Sequence, residues 1–444
     1  MASTYLSKTY GSSGNRQRQT ISVWVKRTKF DDTQTIFWSN GGASYYAHLR
    51  FKSDNTLQYY ANNACNLKTK YAFLDPNAWY HIVVTLDTTQ ATEADRLKIY
   101  VNGVQQTVFS TSSYPSQNAE VKFADDNIHY IGQSDSGSYF EGLMSHFHFV
   151  TNTAYQASTF GSTDAATGEW NINTSPTVTY NTNSFFVFKD GNSGTDQSGQ
   201  GNNYSVANGT LTKTEDCPSN NFSTLNPLVP SGGGYQGNSS VFSKGNTTFA
   251  TNNSSSNYGL CLSSIGVNSG KWYIEARFDT KGNEDLFGIS AQNITSTANY
   301  LGGGAYSYGF YQNGTYYHNG SGSSYGGNSW SVNDILRLAV DLDNNKLYFG
   351  LNGTWQNSSD PTSGSTGTGA VSITDPSSTD TGHYFIGYGN ASNSSNGAVS
   401  FNFGNGYFGT TAVSSAGTNA SNNGIFEYDV PTGYTALSTK GLNL

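Results

Sequence analysis

The sequence predicts an all-β protein made of two jelly-roll-like β-sandwich domains in tandem, joined by an irregular connector. Three observations predict this fold class. Apolar residues recur at every second position, Asn, Gly and Ser mark turns between these runs, and helical periodicity is nearly absent. The boundaries that we expect are 1–160 for the first sandwich, 161–229 for the connector, 230–410 for the second sandwich and 411–444 for a C-terminal extension.

The first block of alternation covers the first 150 residues. Successive side chains of a strand point to opposite faces, so each run places one set of side chains on a core. The apolar members are Ile21, Val23 and Val25, then Ile82, Val84 and Leu86, then Leu97, Ile99 and Val101. The last run leads into Asn102-Gly103, a pair that supplies the positive φ angles of a tight hairpin turn.

A second block of the same character begins near residue 227. Its alternating apolar residues are Trp272, Ile274, Ala276 and Phe278, then Leu336, Leu338, Val340 and Leu342, then Leu347, Phe349 and Leu351, and finally Val399, Phe401 and Phe403. The turn Asp343–Asn345 between two of these runs predicts a β-hairpin that closes at Asn352-Gly353.

Residues 151–226 are rich in Asn, Ser, Thr and Gly and hold few apolar anchors. We expect an irregular connector that packs against the first sandwich, although so long a segment without regular structure is unusual in a compact domain. Pro230–Gly234 has the composition of a flexible joint. In the tail, Ile425–Tyr428 is the one candidate for an edge strand.

Composition favours a β-rich globular protein over a disordered chain. Charged residues make up 12% of the sequence and aromatic residues 14%, and the net charge is −8. Disorder requires few aromatic residues and a high net charge. The sequence also has no basic stripe that could release counterions from phosphates, which argues against nucleic acid as a partner.

Cys65, Cys217 and Cys261 are odd in number and form no CxxC pair, so we expect free thiols in a protein assembled in a reducing cytoplasm. The first residues lack a basic start followed by an apolar run, so no signal peptide is expected. No run approaches the roughly 20 apolar residues of a membrane span. Release by cell lysis, inside a virus particle, fits these features.

Several phrases of the first block resemble laminin G-like, concanavalin A-type jelly rolls, namely Ile21–Lys26, Trp79–Val84 and Leu97–Gly103. The second block resembles a SPRY domain, which is a bent β-sandwich. Its landmarks occur in the expected order and are Gly270–Glu275, Phe287–Ser290, Leu342-Asp343 with Leu347–Gly353, and Phe401–Gly404.

The whole arrangement also looks like structural proteins of marine bacteriophages, which pair such modules. The phrases that carry this resemblance are Tyr5–Thr9, Asp87–Thr92 with Asp95-Arg96, Phe160-Gly161 with Gly168–Trp170, Asn220–Leu228, and Pro431–Tyr434 with Leu437. The resemblance covers nearly the full chain. It implies a virion component, assembled in the cytoplasm of a host bacterium, with other virion proteins as partners.

Concanavalin-like folds also host glucanases, which resemble one another in a strand with acidic residues at alternating positions. Hydrolysis needs a proton donor and a nucleophile or base about 5–10 Å apart. The nearest pattern, Asp341-x-Asp343, lies where a strand enters its turn and is typical of turn capping, and Glu275 stands alone on its strand. We therefore expect no catalytic residues and no enzyme activity.

His146 and His148 flank Phe147 and could hold a transition metal with a further ligand such as Glu141. The alternative, which we favour, is a polar strand face covered by the connector or by a neighbouring subunit, so no metal site is expected. Laminin G-like modules sometimes hold calcium through loop acids, and calcium is the one cofactor that this resemblance allows. The candidate acids are Asp31, Asp32, Asp125, Asp126 and Asp135, although Asp is common in turns for backbone reasons alone.

Aromatic residues interleaved with Gly, Asn and Ser in the second block are candidates for ligand binding. Aromatic faces with adaptable polar neighbours suit sugar rings or protein epitopes. The competing interpretation is strand packing, because Tyr is favoured in β structure. The candidates are Tyr306, Tyr308, Tyr311, Tyr316, Tyr317, Tyr325, Trp330 and Trp355.

These observations predict a virion protein (tail fibre, head fibre or capsid decoration) that adheres to host-surface glycans or to other virion proteins without cleaving them. Symmetric assembly repeats weak sites and gains avidity, so we expect a homo-oligomer, and a trimer if it forms a fibre. Two alternatives stay open, a glycan hydrolase on a concanavalin-like scaffold and a cellular SPRY-type protein-interaction module. The ligand and the position on the virion do not follow from the sequence.

Overall fold

The computed structural model divides the chain into two compact units, which we call the first and the second sandwich. The first holds residues 1–213 and 217–219, and the second holds 214–216 and 220–444. The residues that the structure describes are 3–134, 137–189, 191, 193–228, 240–251, 259–293, 300–392 and 395–443.

The first sandwich is built from sixteen strands, one short α-helix and one 3₁₀ turn among its described residues. The strands are β1 (Tyr5–Thr9), β2 (Arg18–Arg27), β3 (Gln34–Asn40), β4 (Tyr46–Phe51), β5 (Thr56–Ala61), β6 (Cys65–Ala72), β7 (Trp79–Asp87), β8 (Leu97–Val101), β9 (Val104–Gln105), β10 (Phe109–Ser113), β11 (Ile128–Ile131), β12 (Gly142–Thr151), β13 (Gly161–Thr163), β14 (Trp170–Ile172), β15 (Phe185–Val187) and β16 (Ser205–Asn208). The helix α1 is Glu93–Arg96 and the 3₁₀ turn is Ala157–Thr159.

Two sheets form the body of the first sandwich. One has eight strands in the order β10-β6-β5-β4-β3-β11-β1-β16, and the other has six in the order β15-β12-β2-β7-β8-β9. The alternating apolar residues of the sequence supply its core, with Val23, Val84 and Ile99 at most 2% exposed. Asn102 and Gly103 take φ angles of 47° and 77° between β8 and β9, which confirms the predicted hairpin turn.

The segment after residue 160 is more regular than expected, and most of it belongs to the first sandwich. Strand β15 joins the six-stranded sheet beside β12, and β16 adds an edge to the eight-stranded sheet beside β1. The division between the units falls at residues 213–220 rather than at 229–230, because Phe222 and Leu225 are fully buried in the second sandwich. The predicted joint Pro230–Gly234 lies outside the described residues.

The second sandwich continues the numbering from β17 to β33. Its strands are β17 (Val241–Ser243), β18 (Thr248–Ala250), β19 (Gly259–Val267), β20 (Lys271–Thr280), β21 (Asp285–Ser290), β22 (Ser307–Tyr311), β23 (Thr315–His318), β24 (Ser321–Ser324), β25 (Ile335–Asp341), β26 (Lys346–Leu351), β27 (Thr354–Trp355), β28 (Val371–Ser372), β29 (Tyr384–Asn390), β30 (Ala398–Asn402), β31 (Tyr407–Phe408), β32 (Thr411–Ala412) and β33 (Thr435–Ala436). Among its described residues, 3₁₀ turns lie at Gln356–Ser358, Pro361–Thr366, Pro376–Ser378 and Gly441–Asn443.

Two large sheets again enclose one core. The first runs β17-β18-β30-β20-β25-β26-β27, with β28 beside β26 and β33 beside β20, and the second runs β19-β29-β21-β22-β23-β24. The hairpin predicted around Asp343–Asn345 is confirmed, since β25 pairs with β26 in the register Val340↔Leu347. The predicted fold class, two tandem β-sandwiches, is therefore correct.

The C-terminal residues form part of the second sandwich rather than an extension from it. Phe426 and Tyr434 are 1% exposed and pack with Tyr273 and Tyr348 in a second hydrophobic cluster. Strand β33 pairs in parallel with β20. The expected edge strand at Ile425–Tyr428 does not form, and Ile425 makes a single bridge to Asn405 instead.

All three cysteines are free thiols, as predicted. Burial raises the pKa of the Cys65 thiol to about 12. The Cys261 thiol is fully buried in the core of the second sandwich. Among the described residues, no helix has the length and apolar character needed to cross a membrane.

Candidate functional site

Three of the eight predicted aromatic residues lie in the core of the second sandwich. Tyr308 and Tyr325 are 2% exposed and Trp330 is fully buried. Tyr308 stacks on His318 with ring centroids 4.3 Å apart, and Trp330 packs 4.0 Å from Phe278. These three side chains are therefore not exposed. Strand alternation turns Tyr308 inward, whereas Tyr325 and Trp330 lie in the irregular segment between β24 and β25 and pack into the core from there.

Tyr306, Tyr316 and Trp355 are half-buried and pack at the margins of the hydrophobic clusters. The guanidinium of Arg337 lies 4.3 Å from the ring centre of Trp355, an arrangement that stabilises the packing through a cation–π interaction. Their ligand-facing role stays a prediction, and none of them lines the pocket described next.

The remaining two candidates, Tyr311 and Tyr317, come together in a surface pocket of about 270 Å³. We call it the tyrosine pocket, and its lining residues are Glu284, Leu286, Tyr300, Tyr311, Tyr317 and Ala391. The rings of Tyr311 and Tyr317 are 5.1 Å apart and inclined by 58°. Typical pockets for drug-sized ligands hold about 300–1,000 Å³, so this one has room for a single small polar ring.

Strand geometry explains why these side chains meet. Leu286 of β21 is paired with Tyr311 of β22, and Tyr317 of β23 is paired with Gly309. Phe287 and Phe310 occupy the alternate positions and point into the core, so the pocket residues lie on the outer face of the sheet.

Two glycines leave room for the chain that crosses this face. A Cβ atom on Gly309 would lie 2.9 Å from Leu286 and 3.1 Å from the carbonyl oxygen of Leu301. Gly302 has a φ of 88°, and a Cβ atom there would lie 2.8 Å from Tyr317. The absence of side chains at these positions therefore lets the segment with Tyr300 and Leu301 pack onto the sheet.

The tyrosine pocket combines aromatic faces with acceptors and donors. Burial, followed by the negative charge of Glu284, raises the pKa of Tyr311, so its hydroxyl stays protonated near neutral pH. This hydroxyl donates a hydrogen bond to the carbonyl oxygen of Asn283 at 3.3 Å. The exposed Glu284 side chain adds a carboxylate acceptor at the rim. Such a site can stack on one sugar ring and accept hydrogen bonds from its hydroxyl groups.

The acidic residues near the pocket are not arranged as a hydrolase pair. Glu284 is exposed, whereas its neighbour Asp285 is fully buried and accepts hydrogen bonds from Tyr388 and Asn390, both at 2.7 Å. Burial is also the largest cause of the raised pKa of Asp285. A carboxylate enclosed in this way serves the core and cannot act on a substrate in the pocket.

Of the pair Asp341-x-Asp343, Asp341 caps the turn that follows its strand, as the spacing indicated, and Asp343 caps a different turn. Asp341 is buried, accepts from the backbone N–H of Asn344 at 3.1 Å and forms an ion pair with Lys271 at 2.9 Å. Asp343 accepts from the backbone N–H of Gly270 at 2.8 Å. Both carboxylates are therefore committed to turns of the second sandwich, Asp341 to the turn between β25 and β26 and Asp343 to the turn between β19 and β20.

The candidate metal ligands are dispersed or already engaged. Within the part of the chain that the structure describes, no group of three or more His, Cys, Asp or Glu side chains could hold a metal ion. Asp125 forms an ion pair with Arg16 at 2.8 Å, and Asp31 accepts a hydrogen bond from Asn55. Asp32 pairs with Lys29, Asp126 is exposed, and Asp135 lies outside the described residues.

The two histidines of β12 do not form the expected regular pair. The strand register shifts between Ser145 and His148, and His146 takes a φ of 46°. His148 is buried, stacks on Phe186 with centroids 3.8 Å apart, and lies 2.7 Å from the hydroxyl of Tyr180. Connector residues cover this face, which agrees with the non-metal interpretation.

Both units are β-sandwiches, and the second carries a small aromatic pocket on an outer sheet face. Sequence comparison finds a family match for part of the first sandwich. Residues 2–158 match the family model of the laminin G type in the concanavalin A-like lectin/glucanases superfamily. Among curated proteins, no relative with significant sequence similarity was found.

Solved structures with a similar chain path include SPRY domains, a pentraxin and one domain of an arabinanase. The SPRY domain of human HERC1 has 16% identity and a TM-score of 0.28, over 36% of this chain and 91% of that chain. The SAP-like pentraxin of Limulus polyphemus, described as heptameric, has 15% identity and a TM-score of 0.28, over 42% and 89%. Domain 4 of a Geobacillus stearothermophilus arabinanase, solved with arabinotriose, has 15% identity and a TM-score of 0.25, over 32% and 64%.

Proposed function

We propose that this protein is a non-enzymatic adhesion component of a bacteriophage virion that binds host-surface glycans. The observation that carries the glycan-binding part is the tyrosine pocket, in which Tyr311 and Tyr317 flank a small cavity with Glu284 at its rim. Aromatic side chains supply contact area at low conformational cost, and a few polar groups then orient the ligand. Both kinds of group are present in this pocket.

Tyr311 and Tyr317 give the sharpest test of glycan binding. We expect Tyr317→Ala to weaken the Kd for the best ligand of a mono- to hexasaccharide array at least about tenfold, which corresponds to about 1.4 kcal/mol. Tyr317→Phe keeps the ring and should lose less than Tyr317→Ala. The measurement is isothermal titration calorimetry with the full chain.

A tyrosine outside the pocket provides the control. Tyr407→Ala removes a half-buried ring elsewhere in the second sandwich and should leave the Kd unchanged. Equal binding by Tyr311→Ala, Tyr317→Ala and the unmodified protein would contradict the assignment of the pocket.

The proposal that the protein binds without cleaving is supported by the enclosed positions of Asp285 and Asp341. Incubation of the protein with purified host polysaccharide should yield stable complexes and no new reducing ends. If more reducing ends form than in a control with heat-inactivated protein, the result would instead favour the glycan hydrolase.

The virion role is supported by the resemblance of several sequence phrases, from Tyr5–Thr9 to Pro431–Tyr434, to those of marine bacteriophage structural proteins. We expect mass spectrometry of purified virions to detect the protein at a stoichiometry set by symmetry. Light scattering after size-exclusion chromatography should give the mass of a homo-oligomer, and a trimer if the protein belongs to a fibre. Absence from virions together with a monomeric mass would favour a cellular SPRY-type interaction module.

A further inference from the structure

The walls of the tyrosine pocket are aromatic or apolar, apart from one carboxylate. Leu286 is 1% exposed and belongs to a small apolar cluster of the outer sheet face, and the rings of Tyr300, Tyr311 and Tyr317 pack against this cluster. Among the described residues, none of those that line the pocket is Lys, Arg or His. The pocket therefore offers nothing that would attract an anion.

The two rings that flank the cavity form a corner rather than a flat platform. The centroids of Tyr311 and Tyr317 are 5.1 Å apart, and the ring planes are inclined by 58°. A flat sugar ring stacks in parallel on one such face at a time, whereas a compact group can contact both faces at once. An ammonium group is compact, and the face of a tyrosine ring attracts a cation.

The strands beside Tyr317 leave its ring uncovered. Tyr317 on β23 pairs with Gly309 on β22 and with Gly322 on β24. Side chains at directly paired positions normally pack on one another. A Cβ atom on Gly322 would lie 3.0 Å from the Cζ atom of Tyr317. Because both partners are glycines, no paired side chain covers the ring, which packs against Tyr311 instead.

The negative charge at the rim of the pocket is not cancelled by a basic side chain. Glu284 is exposed, and within the described parts of the chain it forms no ion pair. The nearby Lys281 donates from Nζ to the carbonyl oxygen of Trp330 at 2.7 Å, and its charge acts on the buried Asp285. Burial, followed by the charge of Glu284, raises the pKa of Tyr311, so this carboxylate acts directly on the pocket. A cation that enters therefore gains a counter-charge.

The backbone holds the acidic and aromatic groups in place before a ligand arrives. The backbone N–H of Ala391 donates to the carbonyl oxygen of Glu284 at 2.8 Å, which extends the pairing of β21 with β29. The backbone N–H of Gly303 donates to the carbonyl oxygen of Tyr300 at 2.8 Å and closes a turn. The lining residues therefore project from paired strands and one closed turn, which lowers the cost of ordering them on binding.

We propose that the tyrosine pocket binds the protonated amine of an amino sugar, so that the recognised glycan carries amino groups that are not acetylated. This inference rests on the proposed function, because it names the ligand class of the same pocket. The ammonium group lies against the faces of Tyr311 and Tyr317 and donates a charge-assisted hydrogen bond to the carboxylate of Glu284. An N-acetylated sugar lacks this charge, and an acidic sugar is repelled by the same carboxylate.

The test compares a glucosamine trisaccharide with its fully N-acetylated counterpart, using the full chain and calorimetry at pH 6.0, where the amine is protonated. We expect the unacetylated trisaccharide to bind at least about tenfold more tightly. A peptide with trimethyllysine serves as a second cationic probe. If it binds more tightly than the glucosamine trisaccharide, the ammonium group belongs to a protein partner and the amino-sugar assignment is wrong. This comparison needs no variant and so does not depend on the folding of a mutant.

Variants then locate the site. Glu284→Gln should weaken the glucosamine trisaccharide at least about tenfold and leave the N-acetylated one unchanged. The control Glu427→Gln removes the same charge elsewhere in the second sandwich and should change neither affinity, which excludes a general attraction of cations to an acidic protein. Tyr317→Phe keeps an aromatic face and should keep the preference for the free amine, whereas Tyr317→Leu should abolish it.

The outcomes separate this inference from the proposed function. Equal affinity for the two trisaccharides, or equal loss in Glu284→Gln and Glu427→Gln, would overturn the inference. Binding of a neutral glycan that depends on Tyr317 but shows no preference for free amines would reject the inference alone and leave the proposed function standing. Failure of every glycan to bind would reject both.

Discussion

At pH 4.5 the first sandwich is expected to unfold under conditions in which the second sandwich stays folded. Four buried histidines of the first sandwich cause this difference. Burial lowers the pKa of His48 and His81 to about 3 and that of His129 to about 4, and it holds the pKa of His148 well below its usual value. Their ordinary pKa is 6.5, so the folded state keeps them neutral where the unfolded chain is protonated.

The sign follows from proton uptake. As the pH falls below 6.5 the unfolded chain binds protons that the folded sandwich does not, so stability falls continuously until the pH reaches the folded pKa values near 3–4. At pH 4.5, about 2 pH units below the unfolded pKa, His48 and His81 each cost the folded state about 3 kcal/mol, and His129 and His148 add to this loss in the same direction. A loss of this size is comparable to the roughly 5–15 kcal/mol that holds a typical domain folded.

The second sandwich responds in the opposite direction over the same range. Burial raises the pKa of Glu275 to about 7 from 4.5, so its folded state holds a proton that the unfolded chain releases. The stabilisation is complete below pH 4.5 and is lost as the pH rises through 7, so acidification from 7 to 4.5 adds up to ~3 kcal/mol. Its two histidines, His318 and His383, are not in a core.

Scanning calorimetry at pH 7.5, 6.0 and 4.5 would separate the two transitions. His48→Phe keeps an aromatic ring between Trp38 and Tyr60 but removes one titrating group, so it should make the first transition less dependent on pH. His383→Phe, at an exposed position of the second sandwich, should leave both pH profiles unchanged. If acidification lowers the unfolding temperatures of both sandwiches to the same extent, the buried histidines do not govern acid stability.

Replacement of Glu275 by Ala is expected to lower the free energy of unfolding of the second sandwich by about 3–5 kcal/mol, because it breaks a buried network that includes a charge. Glu275 is fully buried and accepts hydrogen bonds from the backbone N–H groups of Glu427 and Tyr428 at 2.8 and 2.9 Å. It also accepts from the hydroxyl of Tyr273 at 2.8 Å, which in turn accepts from Arg337 Nε at 2.9 Å. The Ala variant leaves the two backbone N–H groups and the Tyr273 hydroxyl without their acceptor.

The C-terminal segment should report the loss directly. Because Glu275 holds residues 427 and 428 on the sheet, we expect limited proteolysis of Glu275→Ala to cut in this segment before the rest of the sandwich. The matched control is Glu427→Ala, whose carboxylate accepts from the backbone N–H of the exposed Ser414 and should cost less than about 1 kcal/mol. Urea unfolding that shows equal stability for the two variants would refute the anchoring role.

Much of the fold could be predicted because strand periodicity and turn chemistry are local properties. The alternation at Val23, Val84 and Ile99 and the turn at Asn102-Gly103 each depend on a few neighbouring residues. The domain division was misplaced because Phe222 and Leu225 follow a long polar stretch, and only their burial shows that they belong to the second core. The C-terminal segment was misjudged for the same reason, since its anchor, Glu275, lies more than 150 residues earlier.

The candidate site was predicted in part. Composition pointed to tyrosines in the second sandwich, but alternation alone does not say which of two successive strand residues faces the core, so it could not separate Tyr308 from Tyr311. Tyr325 lies outside the strands, and only the tertiary structure shows that it is buried. No local sequence pattern indicated that Glu284 and Tyr300 line a pocket.

The sequence by itself determined that this protein consists of two β-sandwiches, where its hairpins turn, and that its acidic residues lack the spacing of a hydrolase. Only the tertiary structure decided which rings are exposed and which residues from separate strands share a surface. The physical reason is that a strand specifies two opposite faces through its own residues, whereas the neighbours on each face are chosen by pairing with distant strands.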